Sequence, residues 1–191
     1  MPKPFTDIAF TDSVREAQAL YGSSEFNTRI EARAKAKELD ESTKVFLEER
    51  DSIFIASLNE EGWPYVQHKG GPHGFLKIIN DSKIRFADFR GNRQYISVGN
   101  LSSNNRVSLI VMDYPNRRRL KIWGTVEIVE YQDDPTLVEA LAIPTYRARV
   151  ERGILINIEA FDWNCPQHIT PRYTDEEFKK IKEPILEVSS H

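Results

Sequence analysis

Apolar residues in the first fifty positions recur every three or four residues, the spacing of one face of an amphipathic helix. A polar residue of the kind that caps helices precedes each of three such stretches. The first predicted helix begins at residues 11–13, carries Val14, Ala17 and Leu20, and stops at Gly22. The second begins at Asn27 or Thr28 and carries Ile30, Ala34 and Leu39. The third begins at Asp40 and carries Val45, Phe46 and Leu47. We expect residues 1–50 to form a helical segment that packs on the rest of the chain.

From residue 52 the pattern changes to short apolar runs separated by turn residues, which predicts β-strands. Runs over 53–58 and 63–69 flank the turn Asn59-Glu60-Glu61-Gly62 and predict a hairpin. After the glycine-rich break 70–74, runs over 75–79 and 83–88 predict that the middle of the chain is a meander. Further strands are predicted over 106–113, 118–131 and 154–161, and helices over 92–105, from Asp134 to Leu141 and from Thr174 onward.

About six antiparallel strands with short turns and flanking helices predict a mainly β fold built on a small six-stranded antiparallel barrel. A parallel α/β sheet does not fit the short connections. We expect one structural domain, in which residues 51–170 form the barrel and residues 171–191 a C-terminal helix and tail.

Composition narrows the function classes. The 191 residues include 26 Lys and Arg against 29 Asp and Glu, a net charge of −3, so no global basic field attracts nucleic acid. Cys165 is the only cysteine, which excludes an intramolecular disulfide and a cysteine-rich zinc site. The four histidines form no zinc motif, so we expect no metal site. Without an apolar signal-peptide core or a membrane-length apolar run, we expect a cytoplasmic protein with no membrane partner.

The segment Phe86-Ala87-Asp88-Phe89-Arg90-Gly91-Asn92-Arg93-Gln94 holds the strongest candidate site. Here a predicted strand ends and a predicted helix begins, so free N–H groups and the positive end of a helix dipole could hold a phosphate beside Arg93. The alternative is that Asn92 is a plain helix cap and the two arginines are solvated surface charges.

Two other segments could contribute to a ligand site. Gln67, His68 and Lys69 end a predicted strand before two glycines, where a ligand could approach the backbone, although a bulge with an exposed lysine gives the same pattern. Past the last predicted strand, Trp163 could stack on a planar ring while Gln167 or His168 bonds its edge. A tryptophan covering the core, followed by a surface turn, is the alternative.

Other chemistries find little support in the sequence. The basic run Arg117-Arg118-Arg119 is too short to predict nucleic-acid binding, and no Cys-His signature marks Cys165 as a nucleophile. The dinucleotide-binding, P-loop and serine-hydrolase motifs are all missing.

These segments, in this order, resemble the pyridoxamine 5′-phosphate oxidase-like flavoproteins of the FMN-binding split-barrel fold. The resemblance covers roughly residues 45–169. It rests on Ile55-Ala56-Ser57-Leu58-Asn59-Glu60-Glu61-Gly62-Trp63-Pro64-Tyr65-Val66, on the segment from Phe86 to Gln94, and on Asn105-Arg106-Val107-Ser108-Leu109-Ile110.

The resemblance implies an FMN-dependent oxidoreductase with a six-stranded split β-barrel, a homodimer that holds FMN between its subunits. A small molecule would be the substrate, with NADH or NADPH as a candidate reductant. By position in the family's motifs, the cofactor-binding residues would be Gln67, His68, Lys69, Ala87, Asp88, Asn92, Arg93, Gln94, Arg119, Trp163 and Gln167. No side chain of the protein is required as an acid or base, because the flavin carries the hydride or electrons.

The sequence departs from the family at several points. Gln67 and Gln94 stand where the family has basic residues, and Lys77 is an alternative to Lys69 as the lysine that faces the flavin. The C-terminal Arg-x-His element that holds pyridoxine phosphate has no counterpart, so vitamin B6 oxidation is not expected. The alternatives are a non-catalytic module or sensor that holds flavin or haem, and a reductase that uses a deazaflavin.

Overall fold

The computed structural model describes residues 2–188, and four helices precede its first strand. These are α1 (Thr6–Ala9), α2 (Asp12–Leu20), α3 (Ser24–Arg33) and α4 (Glu41–Glu48). The second and fourth begin where the sequence predicted them. Thr11 is the N-cap of α2, and the Asp40 carboxylate accepts the Thr43 N–H at 2.8 Å at the start of α4.

The prediction for the intervening helix was wrong at both ends, and α1 was not predicted. Asn27 and Thr28 lie inside α3, because their side chains donate to the carbonyls of Ser23 and Ser24, one turn back, instead of capping a helix. Leu39 follows the helix in an extended stretch, where it is buried and its N–H donates to Asp81.

Seven strands form one antiparallel sheet. Each corresponds to one of the seven apolar runs of the sequence, so the predicted total of about six strands was one too low. The strands are β1 (Ser52–Leu58), β2 (Pro64–Gly70), β3 (Lys77–Asn80), β4 (Lys83–Phe89), β5 (Arg106–Asp113), β6 (Arg118–Glu130) and β7 (Val150–Trp163), in the order β2-β1-β5-β6-β7-β4-β3. Helices α5 (Ile96–Ser103), α6 (Pro135–Ala140) and α7 (Asp175–Val188) complete a mainly β fold with flanking helices, as predicted. Of the predicted tail, residues 189–191 lie outside the described part.

The predicted meander in the middle of the chain was wrong. Strand β2 pairs only with β1, whereas β3 pairs with β4 and β4 pairs with β7, so β2 and β3 are the two edges of the sheet. The glycine-rich segment between them folds inward: Phe75 and Leu76 are buried, and a Cβ on Gly71 would lie 2.9 Å from Cβ of Phe75. The chain therefore crosses from one edge to the other over the core.

The hydrophobic core lies inside the curved sheet. Alternate residues of the strands point into it, such as Ile53 and Ile55 of β1 and Leu120 and Ile122 of β6, and Phe46 of α4 is buried with them. At the outer surface, Phe5, next to α1, stacks on Trp123 of β6 with ring centroids 6.3 Å apart.

The opposite faces of β1, β2 and β5 leave apolar side chains exposed. In register, Phe54 lies beside Ile110, Ala56 lies beside Val66, and Leu58 continues the row. We call these five residues the outer apolar face. Their exposure is unusual because antiparallel sheets with one solvated face normally present polar residues on it.

Within residues 2–188, no helix is long and apolar enough to cross a membrane.

Candidate functional site

A cleft of about 220 Å³ opens where the sheet is not hydrogen-bonded, between β2 and β4. The end of β2, the end of β4, the loop before α5 and the start of β7 line it. An adjoining cleft of about 210 Å³ shares Gln67, Lys69, Asp88, Phe89 and Gly91 with the first. Strands β2 and β4, which do not pair with each other, thus approach each other around a concave surface.

Three charged side chains join β2, β4 and β7. The Asp88 carboxylate of β4 accepts one hydrogen bond from the Lys69 ammonium of β2 at 2.6 Å and another from the Arg152 guanidinium of β7 at 2.9 Å. All three side chains are largely buried, with 7 %, 19 % and 10 % of their surface exposed for Asp88, Lys69 and Arg152. We call these residues the charge triad. It connects β2 to β4 by side chains where no backbone ladder does.

Arg152 is held from several sides. Its guanidinium also donates to Glu130 at 2.9 Å and lies 3.5 Å from the Glu151 carboxylate and 5.2 Å from the centre of the Tyr95 ring. Burial alone would lower the pKa of Arg152, but the hydrogen bonds to Asp88 and Glu130 outweigh it and raise that pKa. The charge of Arg152 is therefore fixed and already neutralised inside the protein.

The loop before α5 differs from the prediction. The predicted helix at Asn92 begins instead at Ile96, because Arg93 and Tyr95 adopt left-handed backbone conformations with φ of 63° and 54°. Asn92 makes a tight local turn in which its side-chain oxygen accepts the Gln94 N–H at 3.1 Å. This turn leaves Arg93 exposed on the cleft wall.

Arg93 differs from the other two cations of the cleft. Lys69 and Arg152 are both paired with Asp88, whereas Arg93 makes no ion pair with any acid among residues 2–181, whose side chains the structure describes. A guanidinium with no internal partner can give its full set of donors to an anionic ligand.

The first turn of α5 also faces the cleft with Ile96, Ser97 and Val98. In an α-helix the first N–H groups have no acceptor within the helix, and here the Gly99 N–H is the one that bonds back, to Tyr95. This turn carries no acidic residue, and the Ser97 hydroxyl donates to the Gln67 side chain at 2.6 Å. The residues present therefore suit a phosphate, since they combine an unpaired cation with free N–H groups.

The predicted site residues fall into two groups. Gln67, Lys69, Asp88, Asn92, Arg93 and Gln94 line the first cleft, and His68 and Ala87 line the adjoining one. Lys77, the alternative to Lys69, lies on β3 and donates to the Ala140 carbonyl at 3.2 Å, so it lines neither cleft.

Arg119, Trp163 and Gln167 lie elsewhere. Trp163 pairs with Leu120, and Arg152 pairs with Glu130, along the same two strands; the two pairs are ten residues apart on β6 and eleven on β7. At ~3.3 Å per residue this separation is roughly 33 Å of strand. Trp163 packs edge-on against Phe46 with ring centroids 4.7 Å apart, and it lies under the Arg118 guanidinium.

The sequence analysis missed several cleft residues: Tyr65, Tyr95, Ser97, Glu151 and Arg152. Arg152 was missed because the last strand was predicted to begin at 154, whereas β7 begins at Val150. The sequence did contain a signal for Arg152: it is a basic residue two positions before the apolar run that starts at 154. The signal for Ser97 was weaker: its place in the predicted helix that follows the candidate phosphate segment.

Other candidate chemistries stay unsupported by the geometry. Among residues 2–181, whose side chains the structure describes, no three His, Cys, Asp or Glu side chains come together to hold a metal ion. Cys165 is exposed and unpaired in a loop after β7.

Comparison with known proteins identifies a protein family that this chain matches. Residues 39–156 match the model of the family described as pyridoxamine 5′-phosphate oxidase. Among solved structures, HupZ of group A Streptococcus is 14 % identical, and the match covers 71 % of this chain and 99 % of that chain with a TM-score of 0.50. A variant of HupZ is 15 % identical, and the match covers 65 % of this chain and 98 % of that chain with a TM-score of 0.50. No curated protein matches.

A Clostridium acetobutylicum protein of the pyridoxinephosphate oxidase family, related to general stress protein 26 of Bacillus subtilis, is 17 % identical. That match covers 73 % of this chain and 99 % of the other, with a TM-score of 0.48. At these identities the HupZ structures show that the fold is shared.

Proposed function

Because the chain belongs to the pyridoxamine 5′-phosphate oxidase family, we propose that it is a flavoprotein that binds FMN and works as a homodimer with a split-barrel fold. In this proposal it is a cytoplasmic oxidoreductase that acts on a small molecule. When bound, FMN supplies hydride or single-electron transfer at its N5 position.

The observation that carries the proposal is the unpaired Arg93 beside the first turn of α5. Every other basic residue of the cleft, Lys69 and Arg152, already has Asp88 as its counter-ion. The net positive charge available to a ligand therefore comes from Arg93, next to helix N–H groups that favour an anion. In this proposal Arg93 holds the phosphate, and Gln67, Lys69 and Ala87 border the flavin.

Two observations support a homodimer. The outer apolar face presents Phe54, Ile110 and Val66 to solvent, and apolar side chains grouped in this way mark an interface. Arg119 lies one strand further on, opposite Met112, and its Nε is buried with no hydrogen-bond partner among the described residues. We propose that a second copy on this face supplies the acceptor that Arg119 lacks within one chain.

A haem-binding or sensor role is the second candidate, and the cleft favours it less. His68 lines only the adjoining cleft, and its ring packs against Phe54 of the outer apolar face with centroids 5.6 Å apart. No described histidine lines the first cleft, so that cleft offers haem no imidazole ligand.

The test is a titration of the purified protein with FMN, followed by quenching of flavin fluorescence. We expect saturable binding of one FMN per chain. The Arg93→Ala variant should lose a charge-assisted phosphate contact worth about 1.5 to 3 kcal/mol, which raises Kd roughly 10- to 150-fold.

The matched control is Arg33→Ala, an exposed arginine outside the cleft that makes no ion pair with a described acid. It should bind FMN as the unchanged protein does. Equal affinity of the Arg93→Ala variant, with its fold intact, would remove the phosphate assignment. Failure of the unchanged protein to bind FMN would remove the proposal itself.

A further inference from the structure

Residues 11–38 form a helical hairpin that stands apart from the core of the protein. We call this segment, which holds α2, α3 and the turn between them, the N-terminal arm. None of its side chains is buried, whereas Thr6 before it and Leu39 after it are. The main contacts of each helix are with the other helix. The arm therefore exposes most of its surface when the chain is alone.

The chain is fixed to the sheet on both sides of the arm. Before it, the Lys3 N–H donates to the Glu159 carbonyl of β7 at 2.6 Å. After it, the Leu39 N–H donates to the Asp81 carbonyl, in the turn between β3 and β4, at 2.7 Å. The arm is thus an internal hairpin with anchored ends, not a free terminus.

The arm holds little within one chain that would stabilise it. Helix α2 has 9 residues and α3 has 10, and isolated helices shorter than about 12 to 15 residues are marginal in water. The Arg15 guanidinium donates to the Glu31 carboxylate at 2.7 Å and so joins the two helices, but this pair is exposed. Exposed ion pairs add little stability. The arm therefore needs a further surface to pack against.

Three large apolar side chains are grouped at the tip of the arm, where α2 ends and α3 begins. Leu20, Tyr21 and Phe26 are 77 %, 82 % and 66 % exposed. Exposed apolar side chains that lie together mark an interaction surface. At ~1.5 Å per residue, helices of this length place the tip about 14 to 15 Å beyond the far ends of the helices.

The arm leaves the rest of the protein beside the outer apolar face. Phe5, shortly before the arm, stacks on Trp123 of β6. Trp123 pairs with Ser108 of β5, and Ser108 pairs with Ala56, which belongs to the outer apolar face. Directly opposite residues of neighbouring strands point to the same side of a sheet. The root of the arm and the outer apolar face therefore share one surface of the molecule.

The outer apolar face alone is small for a stable dimer. It has five side chains, whereas a stable interface takes about 800 Å² and roughly 20 to 30 residues from each partner. The N-terminal arm begins at the border of this face and carries its own exposed apolar tip. It is the adjoining segment that can supply the missing area.

We infer that the N-terminal arm packs on a second copy of the chain and buries Leu20, Tyr21 and Phe26 there. This inference rests on the homodimer of the proposed function. In a twofold dimer each copy gives one arm and receives one, so the two arms clasp the shared face from both sides.

The first test measures the dimer Kd of the full chain by sedimentation equilibrium. The double variant Leu20→Asp and Phe26→Asp places two charges in the buried contact. It should raise the dimer Kd at least about 30-fold, since each anchor residue of an interface is worth about fivefold or more. Ile79→Asp, the matched control, changes an exposed apolar side chain on β3, outside both surfaces, and should keep the Kd.

The second test identifies which chain the tip touches. Tyr21 is replaced by the photoreactive analogue benzoylphenylalanine, and this chain is co-refolded with an unmodified chain labelled with heavy nitrogen. We expect illumination to join the tip to peptides of the labelled chain. Mass spectrometry distinguishes these products from links within one chain.

The outcomes separate this inference from the proposed function. A dimer whose Kd the double variant leaves unchanged, or links only within one chain, overturns the inference and leaves the homodimer. A protein that stays monomeric at every concentration overturns the inference and the homodimer, while FMN titration still decides on the flavin. Binding to vesicles of phosphatidylcholine and phosphatidylglycerol that the double variant abolishes, with an unchanged dimer Kd, assigns the tip to a membrane surface and overturns the inference.

Discussion

Replacement of Asp88 by Asn tests the charge triad. The carboxylate joins β2 to β4 and β7 through bonds of 2.6 Å to Lys69 and 2.9 Å to Arg152. Asparagine has nearly the same volume and keeps one acceptor oxygen, so the substitution removes the charge and leaves the packing. Lys69 then has no acidic partner among the described residues, whereas Arg152 keeps Glu130.

The expected cost follows from the burial of the three side chains. Removing one partner from a buried ion pair costs about 3 to 5 kcal/mol. Here the value should be at the lower end, about 3 kcal/mol, because Lys69 keeps 19 % of its surface in contact with water and Arg152 keeps Glu130. For a chain of this size, 1 kcal/mol shifts Tm by about 2 to 4 °C, so Tm should fall by roughly 6 to 12 °C.

The assay is urea unfolding and thermal unfolding by circular dichroism, paired with FMN titration. The two readouts should move in opposite directions, because the substitution weakens the fold but removes a negative charge from a cleft proposed to hold an anion. A Tm within about 2 °C of the unchanged protein would refute the reasoning that the charge triad holds β2 against β4 and β7. Weaker FMN binding, with the fold intact, would contradict this electrostatic argument.

Three further predictions address other parts of the molecule. Ile110→Glu places a charge on the outer apolar face and should shift the protein toward monomer in analytical ultracentrifugation without unfolding it. Gly124→Ala should be strongly destabilising in a urea titration, because the new Cβ would clash with the Asn157 carbonyl oxygen of the backbone. Asp40→Ala should cost about 1 kcal/mol by loss of a helix cap and leave FMN affinity unchanged. Hydrogen bonds from Thr43 lower the Asp40 pKa, so this stabilisation is present above the ordinary carboxyl pKa of about 4 and should be lost as pH falls through the folded-state value.

Local features of the fold could be predicted from the sequence. Strand β5, Arg106–Asp113, has the predicted bounds because alternating apolar residues run from a helix end to a Pro-Asn turn. Helix α4 likewise begins after Asp40, whose carboxylate caps it. In both cases residues close in sequence determine the structure, and the pattern shows them directly.

Long-range pairing could not be predicted in the same way. Strand β4 pairs with β3, its neighbour in sequence, but also with β7, about seventy positions later, and no local pattern distinguishes that second partner from β2. The charge triad was missed for the same reason, since Asp88 and Arg152 meet through this pairing and Lys69 reaches them from β2, which pairs with neither strand. The start of α5 was misplaced because the left-handed conformations of Arg93 and Tyr95 are unusual for residues other than glycine.

The pairing of β7 with both β6 and β4 also has a kinetic consequence. The cleft collects residues from position 65 to position 152, so a chain emerging from the ribosome lacks the complete cleft until β7 is made. Pairings this distant in sequence form late during folding. A ligand of the cleft therefore finds its site only in the nearly native protein. It should slow unfolding while leaving the refolding rate unchanged.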